Sequence, residues 1–193
     1  MAALIVMAVM AFGSVACASQ RDERIQMALS RRFRPSAIEI QDPIHLGMVV
    51  RQGQVLTLMA GGISAKPLRV TRPDRHGSIG HVMEFARVDV GTDGRIRAEA
   101  GELPVPKGTR IVVLDINVIG DRVHLLAHTA DPLVAASRGG PAYGCAEFVY
   151  QIPRSVVQGG DPEPLLQLIE QSLEWSPEQR VCAPGDPQLC LEP

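Results

Sequence analysis

One stretch limits this chain's fold more than any other: residues 108–130, GTRIVVLDINVIGDRVHLLAHTA. Gly120 and Asp121, between Ile119 and Arg122, form a two-residue connection with glycine at its first central position. That is the chemistry of a type I′ or II′ hairpin turn. Pairing outward from the turn sets Val118 against Val123, Asn117 against His124, Ile116 against Leu125 and Val113 against His128. Side chains on a strand alternate between two faces, so Val112, Leu114, Ile116 and Val118 then share one face with Val123, Leu125 and Ala127. A surface that apolar must be buried against the rest of the chain. Asp115, Asn117, His124 and His128 fall on the opposite face, where a solvated polar row is expected.

Neighbouring segments read the same way. VVRQGQVLTLMA around Gly53, KPLRVTR, VMEFARVDV turning through Thr92-Asp93-Gly94 into RIRAEA, and AYGCAEFVYQI are short apolar runs bounded by turn residues. The 18 Gly and 15 Pro are spread without a period, which argues against a helical bundle. At 193 residues the chain has room for one domain with a proper core. The expected fold is mainly β: a small barrel or sandwich of about six strands over residues 36–152, with a helix at each end. Residues 19–35 read as a basic amphipathic helix, with Ser19 as a candidate cap, Ile25, Leu29 and Phe33 four apart, and Pro35 as the stop. Residues 162–175, PEPLLQLIEQSLEW, follow Asp161 as a cap and set Leu165, Leu168, Ile169 and Leu173 on one stripe. That helix opens a C-terminal unit, residues 158–193, which ends in a Pro-rich tail.

The two ends differ in charge. Residues 21–34 hold five Arg against Asp22 and Glu23, whereas residues 158–193 hold seven acids against Arg180. A basic arm next to a membrane anchor is drawn to anionic lipid headgroups; the plainer reading is a solvated helix face. Aromatics make up 4% of the chain and do not interleave with a basic surface, so nucleic acid is not expected as a partner.

Residues 1–18 carry an apolar run too short to span a bilayer and ending in small residues, the pattern of an export signal. Ser14-Val15-Ala16-Cys17 resembles a bacterial lipobox, with Ser14 in place of the usual leucine. Ala16-Cys17-Ala18 instead has the A-x-A form of ordinary signal cleavage. Either route exports the protein, which is then lipid-anchored through Cys17 in the cell envelope or free in the periplasm. Cys182 and Cys190 flank APGDPQL, whose turn residues bring the two ends together, so in an oxidising compartment they are the expected disulfide. A loop that short contributes roughly 2 to 3 kcal/mol in the chain-entropy model. Cys145 sits within an apolar strand, where a buried, inert thiol is expected.

No constellation in the sequence has the spacing of a known catalytic or metal site. His124 and His128 are four apart on a strand, about 13 Å from each other, and cannot share a metal ion. Asp115 lies diagonal to His124 and could orient it, but no nucleophile accompanies the pair. His76, His81 and Glu84 share one glycine-containing loop without a standard zinc spacing. Ser78 lacks the context of a nucleophile elbow. Gly61-Gly62 and Gly139-Gly140 match no phosphate loop, and Asp93-Gly94 is a turn rather than a calcium loop. No metal or cofactor is expected.

Residues 103–130, LPVPKGTRIVVLDINVIGDRVHLLAHTA, place a Pro-Lys-Gly lead-in before the hydrophobic hairpin. In this they resemble the small SH3-like β-barrels of uncharacterised bacterial envelope proteins. The resemblance covers under a sixth of the chain and brings no catalytic residues. It implies a partner-binding or structural module. The expectation is therefore a non-catalytic envelope module that takes an envelope protein or a peptide in a groove or along an exposed strand edge. The alternatives are a small envelope hydrolase using Cys145 or His124, and a lipid-tethered spacer with no ligand.

Overall fold

The computed structural model describes residues 20–42, 45–70, 81–137 and 140–175. Helix α1 spans residues 20–32. Its apolar residues recur every fourth position, so Ile25 and Leu29, with Phe33 just beyond, lie on one face and are fully buried. The helix is thus built into the domain and is not a free basic arm.

The chain then pairs β1 (Ala37–Ile38) with β2 (Val49–Arg51) as a small antiparallel ribbon. Next come β3 (Val55–Leu58), β4 (Ile63–Pro67), β5 (Arg69–Val70), β6 (His81–Val82), β7 (Ala86–Val90), β8 (Ile96–Ala98) and β9 (Leu103–Val105). The long hairpin follows as β10 (Arg110–Ile119) and β11 (Arg122–Thr129). Beyond it lie β12 (Val134–Ser137), β13 (Gly140–Ala142), β14 (Gly144–Gln151), α2 (Arg154–Gly159), α3 (Glu163–Ser172) and β15 (Leu173–Trp175).

Nine of these strands form one sheet in the order β15-β3-β10-β11-β14-β4-β9, with β7 and β8 attached to β14 beside β4. The fold is mainly β, and the sheet curls into a half-barrel. Its inner face carries Ile116, Val123, Leu125, Phe148 and Tyr150, which pack in a single core with Ile25 and Leu29 of α1 and Leu165 and Ile169 of α3. The helices therefore fill a concavity that the strands alone were expected to close. Arg32 reinforces this packing by pairing with Glu170 at 2.5 Å and lying 4.4 Å over the Trp175 ring. Within the core, the Tyr150 hydroxyl donates to Ser172 Oγ at 2.7 Å, and Ser172 donates to the Ile169 carbonyl.

Two helices were expected, whereas the described residues contain three, because Arg154–Gly159 add a short turn ahead of α3. The C-terminal helix also ends at Ser172, short of residue 175. Leu173–Trp175 leave it and pair with β3, where sheet hydrogen bonds and the burial of Leu173 outweigh helix continuation. Asp161 was expected as the cap of this helix; Pro162 holds the cap position instead, and Asp161, one residue before it, accepts from the Glu163 amide through Oδ1 at 3.0 Å.

The hairpin turn is as expected. Gly120 has φ +64°, and among the described residues no non-glycine residue has a positive φ, so the turn is type II′. The register departs from expectation further along. A β-bulge at Leu114 sets Val113 against Ala127 and Val112 against His128, one residue away from the simple pairing. Val113 thereby turns to the inner face while Val112 turns outward, and both are fully buried.

Candidate functional site

The bulge and the strand order divide the outer face of the sheet into an open half and a covered half. In the open half the register runs straight across five strands: Asn117 opposes His124, His124 opposes Val149, Val149 opposes Asp89, and Asp89 opposes Arg97. Directly paired residues share a face, so these side chains form one outward row about 19 Å long. A second row beside it sets Asp115 against Leu126, Leu126 against Glu147, and Glu147 against Arg87.

Polar contacts link the two rows. His124 Nδ1 donates to Glu147 Oε1 at 2.8 Å, with side chains 21% and 25% exposed. Asp115, placed by its diagonal position where it could orient His124, does not: it accepts from Asn117 Nδ2 at 2.7 Å and from the Ile116 amide at 2.9 Å. Glu147 takes its place because β14 lies on the far side of His124 from β10, a pairing between segments distant in sequence. Arg87 grips Asp89 through two guanidinium nitrogens at 2.8 to 3.1 Å. That grip holds the Asp89 carboxyl below its ordinary range.

The covered half holds His128 and Cys145, which face each other across β11 and β14. His128 was expected on the solvated row, yet it is 1% exposed. Tyr143 stacks on its ring at 5.2 Å between centroids, and Gly47, at φ +85°, lies so close that a Cβ there would sit 2.7 Å from Tyr143 and 3.2 Å from His128 Nε2. Only glycine suits that backbone position and that approach. Among the described residues neither ring nitrogen of His128 has a hydrogen-bond partner. Burial accordingly pushes its pKa down to about 4, disfavouring the charged ring. Cys145 is 0% exposed, as expected of an inert thiol, and burial pushes it up to about 12. A nucleophile needs the opposite setting.

At its far end the open row runs into a cleft of about 440 Å³ around the β7–β8 turn. Arg87, Arg95, Arg97 and Arg122 line it, against Asp89 and Asp93. Arg95 pairs with Asp93 at 3.2 Å, and Arg122 only approaches Asp121 at 3.9 Å. Among the described residues the Arg97 side chain makes no hydrogen bond or ion pair, although it stands opposite Asp89. Sequence reasoning missed this site, although the signal was present. Arg87 and Asp89, then Arg95 and Arg97, alternate at the strand period on both sides of a glycine turn, which puts all four on one face.

Other sequence candidates lie elsewhere. Cys17, Cys182, Cys190, His76 and Ser78 fall outside the described residues, as do the proposed signal and the disulfide. His81 opens β6, and Glu84 pairs with Lys66 at 3.5 Å. Among the described residues no cluster of His, Cys, Asp and Glu could hold a metal ion, and no helix is long and apolar enough to cross a membrane.

Fold and site together define a curled, mainly β domain with helices in its concavity, an open polar outer face, and an arginine-lined cleft at one end of that face. No protein-family model, curated protein or solved structure matches the chain.

Proposed function

We propose that this is an exported, non-catalytic docking module of the bacterial cell envelope, lipid-anchored through Cys17 or released into the periplasm. It holds another envelope protein, or a peptide, against the open half of its outer sheet face. One observation carries the reading: the row from Asn117 to Arg97 crosses five strands, and its polar side chains, His124 and Glu147 among them, stay partly exposed around a buried Val149. The resemblance of residues 103–130 to SH3-like barrels points the same way.

The test is capture of envelope proteins by cross-linking the full chain in its own cells, beside a variant carrying Asn117→Ala and His124→Ala. Loss of a captured species in the variant supports docking at this face; identical capture refutes it. Mass spectrometry of the cell-derived protein separately decides between lipidated Cys17 and a cleaved, free chain.

A second reading, a small envelope hydrolase, draws on the His124–Glu147 hydrogen bond. A neutral ring donating from Nδ1 keeps Nε2 as a base. Turnover of ester or peptide substrates that disappears in His124→Ala would favour that reading over docking.

A further inference from the structure

The arginine cleft borders the free edge of β8, which pairs only with β7 among the described residues. The edge is primed in a defined way. Gly91 donates to the Arg95 carbonyl at 3.0 Å, and Glu99 donates to the Arg87 carbonyl at 2.7 Å. Bonding direction in an antiparallel pair alternates residue by residue, so Arg97 turns its backbone toward Asp89 while Ile96 and Ala98 turn their amides and carbonyls to the open side. Unpaired groups of this kind are a template for an incoming strand. The Arg97 side chain, meanwhile, stands on the outer face; Asp89 opposite attracts it but is gripped by Arg87, and among the described residues Arg97 makes no side-chain hydrogen bond or ion pair. On an added strand, the residue opposite Arg97 occupies a non-hydrogen-bonded position, where paired side chains come closest. A carboxylate there meets a guanidinium fork suited to it. Two residues along, the next side chain on that face lies beside Arg95, which is 86% exposed.

We infer that the β8 edge binds an extended peptide segment by strand addition, and that the cleft selects segments with acidic side chains at alternate positions facing Arg97 and Arg95. The inference rests on the docking reading and narrows it to one edge and one partner chemistry. Charge complementarity chooses the occupant. Four arginines line the cleft against two carboxylates, and both carboxylates are already engaged within it.

The experiment uses the full chain and a fluorescein-labelled peptide, acetyl-Thr-Val-Glu-Val-Glu-Val-Thr-amide, read by fluorescence anisotropy at low salt. Two control peptides replace both Glu by Lys or N-methylate the three Val. Saturable binding is expected from the Glu peptide alone. Arg97→Glu weakens it about tenfold or more and transfers preference to the Lys peptide. Ala98→Pro weakens it as well, by removing one edge donor while leaving the β7 bonds of Arg97 and Glu99 in place. N-methylation of the peptide gives the same readout without touching the protein, in case Ala98→Pro disturbs folding.

No binding, or equal affinity for the Glu and Lys peptides, overturns the inference. Binding that follows charge but ignores N-methylation marks the cleft as a general anion site and overturns strand addition. The two readings fail separately. Envelope capture that survives Arg97→Glu and Ala98→Pro but is lost with Asn117→Ala and His124→Ala leaves docking standing and removes the β8 edge. Capture unaffected by any of these variants removes both.

Discussion

Replacing His128 by leucine should remove a defined part of the protein's acid sensitivity. In the unfolded chain this histidine titrates near its ordinary 6.5; in the fold, burial lowers it to about 4. Between those values the unfolded state takes up a proton that the folded state refuses. Stability therefore falls as pH drops through the window, with a slope approaching about 1.4 kcal/mol per pH unit and a total loss of about 3 kcal/mol by pH 4. Above pH 6.5 the ring is neutral in both states and adds no pH dependence. Its neighbours do not titrate in this range, since burial raises both Tyr143 and Cys145. Carboxylates elsewhere contribute alike to both proteins and cancel in the comparison. At neutral pH the two proteins should be of similar stability: leucine gives up the Tyr143 stack but removes two buried polar atoms without partners. Urea unfolding followed by circular dichroism at half-unit steps from pH 7.5 to 4 gives both curves. They should run together above pH 7 and separate by about 3 kcal/mol at the acid end, with the variant the more stable. Parallel curves would mean that His128 reaches water or a partner when folded, and the covered half of the sheet face would not exist as described.

Three further outcomes follow from the same packing. Leu29→Ala should cost about 2 to 5 kcal/mol in urea melts, because α1 lies within the core; a negligible loss would make it a detachable arm. Gly47→Ala should destabilise by about 1 to 3 kcal/mol, since it forces a side chain into a left-handed backbone position and against Tyr143. An unchanged urea midpoint would show the 45–48 loop standing off the sheet. Iodoacetamide at pH 8 should leave Cys145 unmodified in the native protein and label it promptly in denaturant, as peptide mapping would show. Fast native labelling would restore it as a candidate nucleophile.

The hairpin could be read from sequence because strict alternation meets a glycine turn at Gly120. The inner face followed from Ile116, Val118, Val123 and Leu125, and the α1 and α3 stripes were equally plain. The bulge was hidden, since Val112, Val113 and Leu114 are consecutive apolar residues and a run without alternation leaves register unmarked. The cover over His128 was hidden for a different reason: it comes from Gly47 and Tyr143, far apart in the chain. The parallel pairing of β7 with β14, which brings Arg87 beside Glu147, likewise joins segments that no local pattern connects. Of the candidate site, the sequence therefore revealed Asp115, Asn117 and His124 as an outward row. It did not reveal Glu147 as the partner of His124 or the cleft at the row's end.

The division of the outer face explains how one strand carries two histidines with opposite fates. His124 and His128 both point outward from β11, four residues apart, and neither is set apart by its immediate neighbours. What separates them is the bulge at Leu114, which turns Val112 outward beside His128 and so seeds a second small core with Val55, Ala130 and Val49. Once that end of the face is apolar it draws its own cover, and a neutral, dry histidine is tolerated beneath it at the cost of acid stability. At the other end Leu126 and Val149 also point outward, but Asp115 with Asn117, His124 with Glu147 and Arg87 with Asp89 bond in pairs around them and leave little apolar area for a covering element to bury. That end stays open for the same physical reason that the first end closes, and an open face ending at an unpaired strand edge has the form a docking surface requires.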